Sequence, residues 1–133
     1  MKKWIFILLL GGALSAQAAV KSQNLAEKEV LVGINSVFIP SGFDADSDVS
    51  VIVSGIFPNG CYKWKDAQVT HKKEKGVLVH DIRSYASVNQ GMCIMVLVPF
   101  TKEIELGRLG AGHHKLRFIS GDGTYLEKDL DIE

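Results

Sequence analysis

Asp48-Val49-Ser50-Val51-Ile52-Val53-Ser54-Gly55-Ile56-Phe57 is the stretch whose reading decides the fold. Val49, Val51 and Val53 alternate with Ser50, Ile52 and Ser54, which places the valines on one face of an extended strand. The β-branched content opposes a helix, and Pro58-Asn59-Gly60 closes the segment with turn-forming residues. The same punctuation recurs outward in both directions. Upstream, Val30 to Ile39 is apolar, with a break expected at Gly33 or Asn35, and it stops at Pro40-Ser41-Gly42. Downstream, strand-like segments are expected over Cys61 to Thr70, Val77 to Tyr85, Cys93 to Pro99, Ile104 to Leu109, His113 to Ser120 and Tyr125 to Ile132.

Lys72 to Gly76 reads as a charged hairpin tip, and Gly121-Asp122-Gly123 joins the last two segments by the Asp-Gly step that marks hairpins. Cys93 to Pro99 is nearly all apolar and predicts a strand covered on both faces. Leu126 to Ile132 carries Glu127, Lys128, Asp129 and Asp131, which suits a half-exposed edge strand. Seven to nine short strands without helical periodicity predict an all-β, antiparallel β-sandwich over residues 30–133.

The N-terminus predicts export. Met1-Lys2-Lys3 is basic, Trp4 to Leu14 is a short apolar run, and Ala16-Gln17-Ala18 supplies a small-x-small cleavage pattern. Residues 1–18 therefore read as a signal peptide, too short in its apolar part to span a bilayer, and 19–29 as a polar leader. The destination is periplasmic or secreted. In that compartment Cys61 and Cys93 are expected to form one internal disulfide, with an intermolecular bond or free thiols as the alternatives. Closing a loop of about 30 residues would contribute roughly 3 to 4 kcal/mol. Once Lys2 and Lys3 are removed, acidic residues slightly outnumber basic ones, which gives no electrostatic case for nucleic acid. No apolar segment of the mature chain has the length of a membrane span.

Two stretches carry a resemblance. Leu106-Gly107-Arg108-Leu109-Gly110-Ala111-Gly112-His113-His114-Lys115-Leu116 is similar to a corner of immunoglobulin-like sandwiches, where a leucine and a Gly-x-Tyr precede a tyrosine bond to nearby backbone. His114 holds the tyrosine's place, which implies His114 inward and His113 outward. Pro40-Ser41-Gly42-Phe43-Asp44, Gly55 to Tyr62, Cys93 and Val98-Pro99-Phe100-Thr101 occur in an order that resembles small exported proteins of Gram-negative bacteria with an immunoglobulin-like sandwich. The resemblance implies a fold and transfers no active site.

Chemistry is sparse. Asp44, Asp46 and Asp48 have the spacing of half a calcium loop, but Val49 and Gly55 stand where glycine and glutamate are needed, so a solvated turn explains them better. His71, His80, His113 and His114, with Met92 and Met95 beside Cys93, raise copper as an alternative function. Adjacent His113 and His114 point to opposite faces, however, and the methionines fit a core. No nucleophile motif is present, and Glu103 and Glu105 read as a solvated strand face, so no catalytic residue, resident metal or cofactor is expected. Lys63, Lys65, His71, Lys72, Lys73 and Lys75 form the one basic cluster, a candidate contact for a protein or an envelope glycan, with Tyr62 and Trp64 inward on the same segment. The reading is a non-enzymatic exported binding domain.

Overall fold

The computed structural model describes residues 27–133, and the segment read as a signal peptide and most of that read as a polar leader lie outside them. Eight strands follow in chain order: β1 (Lys28–Val32), β2 (Ser36–Phe38), β3 (Val49–Phe57), β4 (Tyr62–Glu74), β5 (Val77–Val88), β6 (Val98–Gly107), β7 (Gly112–Ile119) and β8 (Tyr125–Ile132). They form two sheets, one of β1, β4, β5, β7 and β8, the other in the order β2-β3-β6. Every pairing is antiparallel except that of β5 with β7. Among the described residues no helix is long and apolar enough to cross a membrane.

The valine alternation of β3 is what lets two layers close. Val49, Val51 and Val53 are fully buried, and they pack against Ile82 of β5, Ile104 and Leu106 of β6, and Leu116 and Phe118 of β7. A second cluster sits toward the other end, where Phe57 stacks on Phe100 with ring centroids 4.3 Å apart. Trp64 is partly buried and leans on Phe100 at 5.6 Å, while Tyr62 stacks on Phe57 at 5.7 Å. The inward direction expected for both side chains therefore holds. Val30 to Ile39 breaks where Gly33 and Asn35 stand, giving β1 and β2, and β1 opens at Lys28, inside the segment read as leader.

One of the expected strands is absent. Cys93 to Pro99 is not a strand covered on both faces; β6 begins only at Val98, and the residues before it are an exposed loop. The cause is tethering. Cys93 is joined to Cys61, Gly60 N–H donates to Ile94 O at 2.9 Å, and Asn89 N–H donates to Cys61 O at 3.0 Å. The chain is thus held to the turn before β4 as it crosses from β5 of one sheet to β6 of the other, and it joins neither sheet until Val98. The Lys72 to Gly76 tip is also tighter than expected. β4 runs through Glu74, and only Lys75-Gly76 make the turn, both with positive φ (49° and 82°), as a two-residue type I′ hairpin requires.

Gly55 is the most constrained position in β3. A Cβ there would enter the Phe100 ring and lie 3.0 Å from Gly33 O. Gly55→Ala is therefore expected to lower stability by about 1 to 3 kcal/mol through overpacking. Urea denaturation of the two proteins checks it, and an unchanged midpoint would show that the Phe57–Phe100–Trp64 stack can yield.

Candidate functional site

The basic cluster lies on β4 and, at Lys75, in the turn that follows it, and the pairing of β4 with β5 decides which way the strand members point. Trp64 pairs with Ala86 and Asp66 with Tyr85, so Lys65 is the extra residue of a bulge. Ahead of the bulge Tyr62 and Trp64 face the core; beyond it the parity inverts, and Ala67, Val69 and His71 take that face. Lys72 and Glu74 then fall on the outer face of the five-stranded sheet.

The cluster is accordingly divided. Lys65 donates to Glu29 at 2.7 Å near β1, and Lys63 is exposed beside it on the strand. Lys72 bridges Glu74 at 3.2 Å and the buried Asp81 at 3.1 Å. Lys73 and Lys75 are exposed at the hairpin end. A strand of this length spans about 40 Å, so Lys63 and Lys65 sit well away from Lys72, Lys73 and Lys75.

His71 leaves the lysines altogether. Its Nδ1 lies 2.7 Å from His80 Nδ1, His80 Nε2 lies 2.8 Å from His114 Nδ1, and His114 Nε2 lies 2.9 Å from Gly110 O. The terminal carbonyl can only accept, which fixes the order of the neutral chain. His114 Nε2–H donates to Gly110 O, His80 Nε2–H donates to His114, and His71 Nδ1–H donates to His80. His114 is fully buried and His80 is 3% exposed, while His71 reaches solvent. The corner bond implied for His114 is made, with His113 outside and held by Asp131 at 2.6 Å and Asp129 at 3.3 Å. Those carboxylates raise the His113 pKa, the Asp131 hydrogen bond most.

The relay joins three strands, and sequence reading found its members without their association. A two-residue turn at Lys75-Gly76 pairs His71 with His80, so half of it was available from the hairpin register; the His114 contact depends on the parallel β5–β7 pairing. Two zinc ligands at bonding distance in a tetrahedron sit roughly 3.3 Å apart. The His71 and His80 nitrogens are closer and share a proton instead. Among the described residues no group of three or more His, Cys, Asp or Glu is arranged to hold a metal ion. The Asp44 carboxylate is engaged locally, accepting from Asp46 N–H at 2.9 Å and Ser47 Oγ–H at 2.8 Å, as a turn does.

The second surface is the loop that the disulfide holds. Met92, Ile94, Met95, Val96 and Leu97 are exposed, from 53% at Val96 to complete exposure at Met92. Single exposed apolar residues are ordinary, whereas five in a six-residue run make a patch that calls for a partner. The two methionines expected in the core are in this loop.

Burial holds the His80 pKa down, to about 4, with His71 and His114 adding to the effect. The unfolded chain, at the ordinary 6.5, therefore binds a proton that the folded chain refuses. The stability this provides is complete above about pH 6.5 and is lost as pH falls toward 4, a total of about 3 kcal/mol. Urea midpoints measured across that window should fall on acidification, and the fall should be smaller in His80→Gln. An equal fall in both proteins would assign the acid sensitivity to other groups.

A family model described as an ORF11 beta-sandwich domain matches residues 51–131. Comparison with curated proteins gives no match, and comparison with solved structures gives none either.

Proposed function

The chain belongs to the ORF11 beta-sandwich domain family, and from that premise we propose an exported, non-catalytic binding domain whose contact surface is the loop Met92 to Leu97. The observation that carries the reading is the exposure of Met92, Ile94, Met95, Val96 and Leu97 in a chain that buries Val49, Val51, Val53, Ile82 and Leu116 completely. A loop pinned by the Cys61–Cys93 bond meets a partner with less ordering cost than a free one, so more of the contact energy is available for binding. The partner is a protein with an apolar cleft. Loops that dock on lipid surfaces carry Trp, Tyr, Lys or Arg as interfacial anchors, and Ala86 to Pro99 contain no charged or aromatic residue.

Export, to the periplasm or beyond the cell, is supported by the pattern of residues 1–18, by the resemblance to exported Gram-negative proteins and by the compartment that a structural disulfide requires. The absence of catalysis is supported by how the candidate groups are used. The buried histidines are spent on each other and on Gly110 O, and Asp81 is paired with Lys72.

Ile94→Ser with Leu97→Ser tests the reading. Both side chains are exposed, so the double variant should keep its urea midpoint, with stability changed by no more than about 0.5 kcal/mol per site. A photoreactive side chain at Met95 should crosslink the exported protein to one envelope protein, and the double substitution should abolish that product. Crosslinking that survives the substitution, or matches that from a photoreactive group at Asp122, would reject the loop as the contact surface.

A further inference from the structure

The outer face of the five-stranded sheet carries a groove of about 560 Å3 that the apolar loop takes no part in. It is lined by Glu74, Lys75, Val77, Val79, Lys115 and Arg117. Val77 and Val79 belong to the central strand β5, Val77 half-buried as the apolar floor and Val79 buried beside it; the other four are charged walls, three cations against one carboxylate. The surplus of positive charge is local, since the whole chain is neutral by formal count.

The cations keep donors to spare. Arg117 uses Nη1 toward Glu74 at 3.1 Å and Nε toward Glu127 at 3.2 Å, which leaves Nη2 without an ion pair among the described residues. Lys115 reaches Glu127 at 3.3 Å with one of its three N–H groups, and Lys75 has no ion pair among the described residues. Arg117 also lies 5.3 Å from the centroid of the Tyr125 ring, so its guanidinium is held as a fixed plane. Lys75 occupies its place at a cost. Its φ of 49° belongs to the left-handed region, where this turn type prefers Asn, Asp or Gly at its first central position.

The backbone beneath the groove narrows the class of ligand. β5 is hydrogen-bonded to β4 on one edge and to β7 on the other over this region, so its peptide groups are already taken. An extended acidic peptide would find no ladder to join. The occupant must be read by side chains alone, through carboxylates spaced along a body with flat C–H faces that can rest on valine. The geometry points to a binding site for an acidic oligosaccharide of the uronate type, with its carboxylates on Lys75, Lys115 and Arg117 and a sugar face over Val77. The site stands apart from the loop Met92 to Leu97, and either can hold without the other.

Titration of the disulfide-bonded protein with trigalacturonate, followed by amide chemical shifts, tests it. Saturable shifts are expected at Lys75, Val77, Val79, Lys115 and Arg117, and none with a neutral trisaccharide of the same size. Lys75→Asn creates the Asn-Gly pair that this turn favours, so it should raise the melting temperature while weakening trigalacturonate about tenfold, the loss of one ionic contact. Lys115→Gln should weaken it as well. Absence of saturable binding, equal binding of the neutral sugar, or an unchanged affinity in both variants would overturn the assignment.

Discussion

The hydrogen bonding of β5 is the constraint on which the molecule depends. One edge of this strand is filled by β4 along its whole length; the other is shared, by β7 from Leu78 to Arg83 and by β1 from Ser84 to Val88. Two strands arriving on one edge must end where they meet. The ends close because Gly33 and Gly121 allow close approach: a Cβ at Gly33 would lie 3.1 Å from Ser120 Oγ, and one at Gly121 3.2 Å from Leu31 O. At the handover Ser84 Oγ is buried without a hydrogen-bond partner among the described residues, as is Asp81 Oδ1 nearby. A central strand paired on both edges, with the second sheet over one face and long charged side chains over the other, leaves little room for polar atoms to reach water.

From that strand the phase of β4 follows, and a single residue sets it. The bulge at Lys65 inverts the inward and outward sets for the rest of the hairpin. Without it His71 would face outward and Lys72 would face the core. With it, His71 completes a relay to His80 and His114, and Lys72 lies over Asp81 on the opposite side. Both faces of the hairpin thus owe their chemistry to one unpaired position. The relay lets a sandwich bury imidazoles at its end because each ring nitrogen that is out of water has a partner, which removes the desolvation penalty of an orphaned polar group.

The outer face repeats the principle with charges. Asp81, Lys72, Glu74, Arg117, Glu127 and Lys115 are linked by successive ion pairs across β4, β5, β7 and β8. Exposed pairs of this kind contribute little each to stability. Their effect is positional: each long side chain is held by its neighbour, so the walls of the groove over Val77 and Val79 have a defined shape. The same network raises the pKa of Arg117 and lowers that of Glu127, each chiefly through their mutual hydrogen bond.

Local pattern was enough for the all-β class, the turns, the inward valines of β3 and the burial of His114 with His113 outside, because side-chain alternation and turn chemistry are properties of neighbouring residues. The rest depended on partners distant in the chain. Cys93 to Pro99 has the composition of a buried strand, yet burial needs a sheet partner and a covering layer, and this segment, tied to Cys61, joins neither sheet until Val98. Conversely, His71, His80 and His114 look like scattered polar residues until β4, β5 and β7 are laid side by side. Six neighbouring basic and histidine positions on β4 and its turn look like one patch, but strand alternation, one bulge and the length of the strand divide them between two faces and two ends. Sequence could name the residues that carry chemistry here; only the register between strands could say which of them meet.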